Sequence, residues 1–470
     1  MVATDLTYAG AAEQARMIAD GDVTAREVVE ATLQRIERVN PALNAYRVVF
    51  GERALAEADQ ADARVRGGDR RPLLGVPVAV KDDVDVAGEV TAWGTAAHGP
   101  APARDAEVVA RLRAAGAVIV GKTHVPEMTI WPFTETLTFG ATRNPWNLDR
   151  TPGGSSGGTG VAVAAGLAGV GLGSDGAGSI RIPSAFCGLF GIKPQRDRVP
   201  LSPHDNAWHG LSVNGPLARS VSDAALFLDA TADDPPAAGF LGAARTPPGR
   251  LRIAISTKFP PGVIAKLSDS SRRAFDDAAE LLRSLGHEVV QHDPDYPRDA
   301  ALNLTGRYLR GIHDDVAEAM PHPERLEPRT RGMVRLGRLG RLWPASRITK
   351  LRAGEAAMAD RINSLFADHD VLLTPGPTHA PWRIGTFHGR GALRTLNAVA
   401  SRVPYYGLFN ATGQPAASVP MGFDGDGLPT AVQLVGRPRD EATLLSLAGQ
   451  MEAERPWAGR RPALATDGAA

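Results

Sequence analysis

The chain has a single cysteine, Cys187, among its 470 residues. One cysteine cannot form a disulfide within the chain or build a cysteine-based metal site, and this usage fits a reducing compartment. The formal net charge at pH 7 is zero, so no basic excess argues for nucleic acid as a partner. These absences exclude a disulfide scaffold and give no support to a nucleic-acid-binding function.

Long apolar runs are also missing. No stretch of about 20 uninterrupted apolar residues occurs, the length that a helix needs to cross a bilayer. The N-terminal segment carries acidic residues early and lacks the basic-then-apolar order of a secretory signal. We therefore predict a cytoplasmic protein with no transmembrane segment, long enough to bury a core without disulfides or metals.

Lysine is scarce, since only six of the 52 basic side chains (Lys plus Arg) are lysines. One of them, Lys81, follows the apolar run at 73–80, which predicts a buried strand. A buried lysine can lose its proton, whereas arginine cannot, so Lys81 is a candidate base. The alternative is a structural lysine paired with Asp82 or Asp83. Lys122 also follows a strand, and we predict a structural role for it.

The stretch 151–194 is rich in glycine, yet its apolar runs exclude a flexible linker. Ser155 and Ser156 lie between paired glycines, and Ser179 follows the segment that begins at Asp175. Glycine allows tight turns and close approach of the backbone to a ligand. The stretch predicts a loop that presents serine hydroxyls beside free N–H groups, as acyl transfer by a serine nucleophile requires.

This stretch resembles the signature of the amidase signature family of serine hydrolases. The matching motifs are GGSSGG, the segment DGAGSIRIP and the run AFCGLFGIKP. The resemblance covers nearly the whole chain, because further motifs match in order at 73–88, 108–128, 144–158, 413–420 and 428–438.

The resemblance implies an α/β fold: one large domain over residues 1–470, with a mixed twisted β-sheet covered by α-helices on both faces. Residues 1–66 are predicted to be an N-terminal helical layer for packing or dimerisation, so a homodimer is compatible with this interpretation. Residues 70–230 form the signature core. Residues 297–400 match the family least and are predicted to be the variable region that sets substrate choice.

The resemblance also implies hydrolysis of a carbon–nitrogen bond in a small amide, anilide or carbamate. Ser179 matches the nucleophile, Ser155 the bridging serine on a cis peptide bond, and Lys81 the base of this Ser-cisSer-Lys triad. The reaction needs no cofactor, and no histidine pair has the spacing of metal ligands alongside a third ligand.

Backbone N–H groups near the nucleophile are the predicted oxyanion hole, and they belong to Gly176, Ala177, Gly178 and Ser179. Ser156, Asp175 and Arg181 are predicted to support the site, with the last two pairing to hold the loop. The chain departs from the usual family pattern D-T-G-G-S, since it has D-G-A-G-S. The shape of the pocket next to residues 176 and 177 should therefore differ.

The acyl pocket is predicted from the segments 123–139 and 374–409, which are rich in aromatic residues. Met128, Trp131 and Phe133 are the candidate pocket residues, and ordinary core packing is the alternative. Such a lining would favour an uncharged, hydrophobic or aromatic substrate.

Two other functional classes stay open. The A subunit of a glutamine-dependent tRNA amidotransferase usually has a glutamine where this chain has Ile182, and an S-L-D stretch where it has LSVNGP at 211–216. A non-catalytic binding protein on the same fold is the other class, although the triad residues are all present. The basic run at 329–352 predicts either a covering helix with a solvated arginine face or a helix on a membrane surface.

Overall fold

The computed structural model describes residues 5–204, 207–338 and 345–463. Eleven strands form one mixed sheet in the order β1-β3-β2-β6-β8-β7-β12-β13-β11-β9-β10, and β4 and β5 form a separate hairpin. The strands are β1 Tyr46–Val49, β2 Pro77–Lys81, β3 Val118–Thr123, β4 Glu135–Thr136, β5 Gly140–Ala141, β6 Val170–Asp175, β7 Phe190–Lys193, β8 Val213–Ala218, β9 Arg252–Ile255, β10 Glu288–Gln291, β11 Val371–Pro375, β12 Ala416–Phe423 and β13 Pro429–Gly436.

Sixteen α-helices occur in the described ranges. They are α1 Ala11–Asp20, α2 Ala25–Leu43, α3 Gly51–Arg66, α4 Glu107–Ala114, α5 Gly157–Ala164, α6 Arg181–Cys187, α7 Val221–Thr231, α8 Gly239–Arg245, α9 Asp269–Ser284, α10 Ala300–Ala319, α11 Pro328–Arg338, α12 Ala345–Ala353, α13 Glu355–Asn363, α14 Ala392–Ala400, α15 Leu408–Ala411 and α16 Glu441–Glu454.

Both faces of the sheet are buried, as strand β2 shows. Successive side chains of a strand point to opposite faces. Val78 and Val80 belong to the apolar cluster that includes residues of α4 and α7. Ala79 belongs to the cluster that includes residues of α2, α3 and α5. The predicted fold class, a mixed sheet with helices on both faces, is confirmed.

The N-terminal layer is not wholly helical. Thr24 and Glu27 form a capping box at the start of α2, which contains Pro41 and ends at Leu43. Two residues separate this helix from the four-residue strand β1, which pairs antiparallel with β3 at the edge of the sheet. A four-residue edge strand has too few alternating side chains to be distinguished from the helices that flank it.

The centre of the sheet positions the candidate site. Strands β2 and β6 are parallel neighbours, so their carboxyl ends lie at the same edge. Lys81 ends β2 and Asp175 ends β6. Helix α5 follows the paired serines and α6 follows Ser179. Ligands bind at this kind of edge in open α/β sheets.

The basic run at 329–352 includes α11 and the first part of α12, and its residues 339–344 lie outside the described ranges. The apolar side of α11 is buried against the domain through Met333 and Val334. A Cβ at Gly337 would lie 2.4 Å from the carbonyl oxygen of Leu309 in α10, so the two helices pack very closely. These contacts favour the covering helix. The described residues include no helix with the length and apolarity of a membrane span.

Candidate active site

Lys81 is fully buried at the carboxyl end of β2. Its Nζ lies 2.7 Å from Ser155 Oγ and 2.6 Å from Ser174 Oγ, and 3.1 Å from Asp83 Oδ2. Burial lowers the pKa of Lys81, while the negative charges of Asp83 and Asp175 act in the opposite direction. The ammonium can therefore become a neutral amine beside a serine hydroxyl.

The paired serines occupy the turn between β5 and α5. The Gly154–Ser155 peptide bond is cis, and Ser155 is buried. Ser156 is the N-cap residue of α5, and its hydroxyl donates to the carbonyl oxygen of Ser174 at 3.1 Å. Its N–H donates to the carbonyl oxygen of Ser179 at 3.2 Å. Ser156 thus connects the turn that carries Ser155 to the loop that carries Ser179.

Asp175 and Arg181 hold the Ser179 loop. Their predicted pairing is present: Arg181 Nη2 lies 3.0 Å from Asp175 Oδ1, and both side chains are fully buried. Although burial raises the pKa of Asp175, the charge and hydrogen bonds of Arg181 and a hydrogen bond from Asn410 hold it well below its usual value. Arg181 also donates to Gln433 Oε1 at 2.7 Å. This network connects the Ser179 loop to β13 and α15.

Three of the four predicted oxyanion donors are available. The described residues include no acceptor for the N–H groups of Gly176, Ala177 and Ser179. The prediction for Gly178 is wrong in this conformation, because its N–H donates to Asp175 Oδ1 at 2.6 Å. Gly178 has a left-handed backbone conformation, with φ of 119°, in the turn immediately before Ser179.

The two catalytic candidates Ser155 and Ser179 are brought into neighbouring turns. Among the described residues, no hydrogen bond joins their two hydroxyl groups, whereas Ser155 is in direct contact with Lys81. The structure therefore shows a direct contact between Lys81 and Ser155, and none between the two serine hydroxyl groups among the described residues.

Sequence reasoning did not single out Ser174 or assign a catalytic role to Asp83. Ser174 donates to Asp83 Oδ2 at 2.6 Å and accepts from Lys81. Asp83 Oδ1 is buried and has no hydrogen-bond partner among the described residues. The signal was present in the sequence, because an acid two residues beyond a buried lysine is well placed to stabilise its charged form.

A narrow cavity of about 40 Å³ reaches this site. We call it the inner cavity; it is lined by Asp83, Val84, Trp93, Ala106, Thr129, Ser155, Ser174, Gly176, Leu201, His204, Ala207, Trp208, Ser212, Asn214 and Asp315. It shares five of these residues with a wider outer cleft of about 420 Å³. The outer cleft is lined by Trp93, Pro203, His204, Ala207, Trp208, His209, Gly311, Asp314, Asp315, Glu318 and Ala319.

Three residues of the inner cavity have left-handed backbone conformations that are unfavourable for their bulky or branched side chains. Trp93, Thr129 and Trp208 have φ values of 52°, 55° and 51°. Conformations of this kind cost of order 1–3 kcal/mol each and cluster at functional sites. They aim two indole rings at the cavity, and no periodic sequence pattern could have revealed this.

The predicted pocket residues lie elsewhere. Met128, Trp131 and Phe133 are buried in an apolar cluster and are absent from the lining of the inner cavity. Trp131 stacks on Phe133 with ring centroids 5.9 Å apart, and Phe133 stacks on Phe387 at 4.5 Å. In this structure these three residues therefore pack in the core, as the alternative interpretation of the sequence predicts.

The departure of this chain from the family pattern at Gly176 has a physical reason. A Cβ at this position would lie 2.5 Å from Cε3 of Trp208 and 3.0 Å from Ser212 Oγ, so the missing side chain makes room for the indole ring. We expect Gly176→Ala to displace Trp208 and to lower kcat/KM by about tenfold to a hundredfold, since small misplacements near reacting groups have large effects.

Gly425→Ala is the matched control for this substitution, because a Cβ there meets nothing within 4 Å. Steady-state kinetics on both variants decides the matter. A Gly176→Ala protein with the kcat/KM of the wild type would show that the position of the Trp208 ring does not affect turnover.

The described residues contain no group of three or more His, Cys, Asp or Glu side chains placed to hold a metal ion. The histidines of the outer cleft have other partners. His209 Nε2 lies 3.0 Å from Asp314 Oδ2, and His204 packs edge-on against Trp93 at 5.6 Å. The chemistry available in these residues is that of serine, lysine and carboxylate groups.

The site is an edge of an α/β sheet at which a buried lysine meets two serine-bearing turns. A family profile described as Amidase matches residues 27–445. The chain belongs to this family, the amidase signature family.

Related sequences and solved structures support this family assignment. The chain is 60% identical over 462 residues to a Mycobacterium tuberculosis protein named "Putative amidase AmiB2", with 98% of this chain and 99% of that protein covered. It is 35% identical to the 6-aminohexanoate-cyclic-dimer hydrolase of Paenarthrobacter ureafaciens, with 97% and 96% covered. A structure of 6-aminohexanoate cyclic dimer hydrolase complexed with substrate matches with a TM-score of 0.86 and 32% identity, covering 98% of this chain and 99% of that chain. The protein is an enzyme that hydrolyses carbon–nitrogen amide bonds of small molecules.

Proposed function

We propose that the chain hydrolyses amides, anilides or carbamates through an acyl-enzyme on Ser179, with Ser155 and Lys81 as the proton relay. The observation that carries this proposal is the buried contact of 2.7 Å between Lys81 Nζ and Ser155 Oγ. A neutral amine at that distance can accept the serine proton, which general base catalysis requires.

Neutral Lys81 takes the proton of Ser155, Ser155 takes that of Ser179, and the Ser179 oxygen attacks the substrate carbonyl. The N–H groups of Gly176, Ala177 and Ser179 are the donors that we assign to the developing oxyanion. Collapse of the intermediate breaks the C–N bond, and the relay returns the proton to the leaving amine. Water then attacks the ester carbonyl by the same route and releases the acid and free Ser179.

Asp83 has a defined part in this scheme, because Lys81 becomes positively charged when it accepts the proton. The carboxylate at 3.1 Å stabilises that charge, and Ser174 holds the carboxylate in place through its hydrogen bond of 2.6 Å. The ion pair also keeps the pKa of Lys81 higher than burial alone would set it.

We expect Asp83→Asn to lower the pKa of Lys81, since the opposing negative charge is removed. The acid limb of the kcat/KM profile, which reports loss of the neutral base, should move to lower pH. The maximal kcat should fall by roughly tenfold because the lysine becomes a weaker base. A pH–rate profile measures both effects, and an acid limb at the wild-type position would exclude this role for Asp83.

The activity itself is tested by a turnover screen of purified protein on a 4-nitroanilide, an aliphatic amide, an aryl carbamate, an ester and a cyclic amide. Release of amine from at least one carbon–nitrogen substrate is the expected result. Cleavage of the ester alone would contradict the proposal. Cytoplasmic location and homodimeric assembly stay predictions from the sequence.

A further inference from the structure

The route from the outer cleft to Ser155 carries negative charge. Four carboxylate side chains, those of Asp83, Asp314, Asp315 and Glu318, line the two cavities, and the described lining of either cavity includes no lysine or arginine. Sequence reasoning expected an uncharged substrate. These acids come from segments more than 200 residues apart, so only the fold brings them together.

Two of the four acids, Asp314 and Asp83, already have partners for their negative charge within the protein. Asp314 contacts Arg310 at 2.7 Å, His313 at 3.0 Å and His209 at 3.0 Å. Asp83 uses Oδ2 for Lys81 and Ser174. Its Oδ1 is buried, faces no hydrogen-bond donor in the described structure and belongs to a residue that lines the inner cavity. Buried carboxylate oxygens are nearly always hydrogen-bonded, so this atom indicates a donor supplied from the cavity.

Asp315 lies where the two cavities meet, since it lines both. Neither Asp315 nor Glu318 has an ion-pair partner within the described part of the chain, and Asp315 accepts a hydrogen bond from Trp208. The indole rings of Trp93 and Trp208 line the same junction. A carboxylate beside aromatic rings is a favourable setting for an organic cation, which gains from charge pairing and from contact with the ring faces.

We propose that the cleft selects amides that carry an alkylammonium group, with the ammonium at the junction beside Asp315 and Trp208 and the alkyl chain running inward to the scissile bond. This inference rests on the proposed function and names its substrate class. The acyl portion or the leaving amine can carry the ammonium, because both have the same chemistry at the junction.

The protonation state of Asp315 makes this preference depend on pH. Burial raises the pKa of Asp315 to about 7, and the charges of Glu318 and Asp314 add smaller effects in the same direction. A hydrogen bond from Trp208 acts in the opposite direction. His204 and His209 face the same cleft, and burial lowers the pKa of His209, which keeps it neutral at pH 7. Because Asp315 gains its charge as pH rises through about 7, the preference for a cation should grow from pH 6 to pH 8.

The test compares kcat/KM for pairs of substrates that differ only in the ammonium group. The first series is the 4-nitroanilides of 4-aminobutanoic, 5-aminopentanoic and 6-aminohexanoic acids against those of the unsubstituted acids. The second series is N-(ω-aminoalkyl)benzamides against N-alkylbenzamides. We expect the cationic member to be favoured by about tenfold or more in at least one series, as for one charge-assisted contact. No preference in either series would overturn the inference.

Asp315→Asn should reduce this ratio to near one. Asp276→Asn, which removes an exposed aspartate of α9 outside the cavity lining, should leave it unchanged. A ratio that survives in Asp315→Asn would overturn the role of Asp315.

Binding separates this inference from the proposed chemistry. Calorimetry on Ser179→Ala protein compares 5-aminopentanamide with pentanamide, and the ammonium compound should bind about tenfold more tightly. If the wild-type protein cleaves none of the substrates but this binding difference is observed, the proposed function is refuted and the cation site is supported. Equal binding together with cleavage would refute the cation site alone.

Discussion

Ser179→Ala should lose nearly all turnover of any amide that the wild-type protein cleaves. The expected loss in kcat is about 10⁴-fold or more, as for removal of a serine nucleophile elsewhere. The physical reason is that no covalent intermediate can form, while the oxyanion donors and the fold stay in place. The measurement is steady-state amine release under saturating substrate.

Ser364→Ala is the matched control, because this serine is exposed on the surface and donates only to a nearby carbonyl. It should keep wild-type kinetics. Retention of more than a few per cent of kcat in a folded Ser179→Ala protein would contradict the assignment of the nucleophile.

Lys81→Ala should reduce kcat by about 10²- to 10⁴-fold, the range that a positioned general base contributes. In the wild type, activity should rise from acid towards mildly alkaline pH. The sign follows from the base, which works only when deprotonated: burial lowers its pKa, so the neutral form appears at lower pH than for a free lysine. The variant should lose this pH dependence together with its activity.

The variant also leaves Asp83 buried without its cation, which destabilises the fold. Circular dichroism must therefore show a folded protein before the kinetics are interpreted, and Lys81→Ala/Asp83→Asn provides a version without the stranded charge. Lys350→Ala, at an exposed lysine of α12, should behave as wild type. Full activity in folded Lys81→Ala would refute the relay.

The core of the site could be predicted because its residues lie in contiguous motifs. Lys81 follows an apolar run, and the turns with Ser155 and Ser179 are marked by glycines, so local sequence carried the information. Parallel pairing of β2 with β6 then places the end of one strand beside that of the other. The hydrogen bond from Gly178 to Asp175 could not be predicted, since it depends on the curvature of a single loop.

The residues that line the cavity were much harder to predict from the sequence. Trp93 and Trp208 lie on separate loops with left-handed backbone, where no periodicity applies. The segment around Trp131 was chosen for its aromatic content, yet those rings satisfy one another by stacking. Composition identifies apolar side chains, but only packing decides whether they face a core or a ligand.

The position of the covalent bond tests the central claim most directly. Wild-type protein is treated with a fluorophosphonate, digested, and the modified peptide is sequenced by mass spectrometry. We predict one adduct, on Ser179, and no adduct in Ser179→Ala protein treated in the same way. An adduct on Ser155 or another serine, or labelling that persists in the variant, would contradict an acyl-enzyme at Ser179.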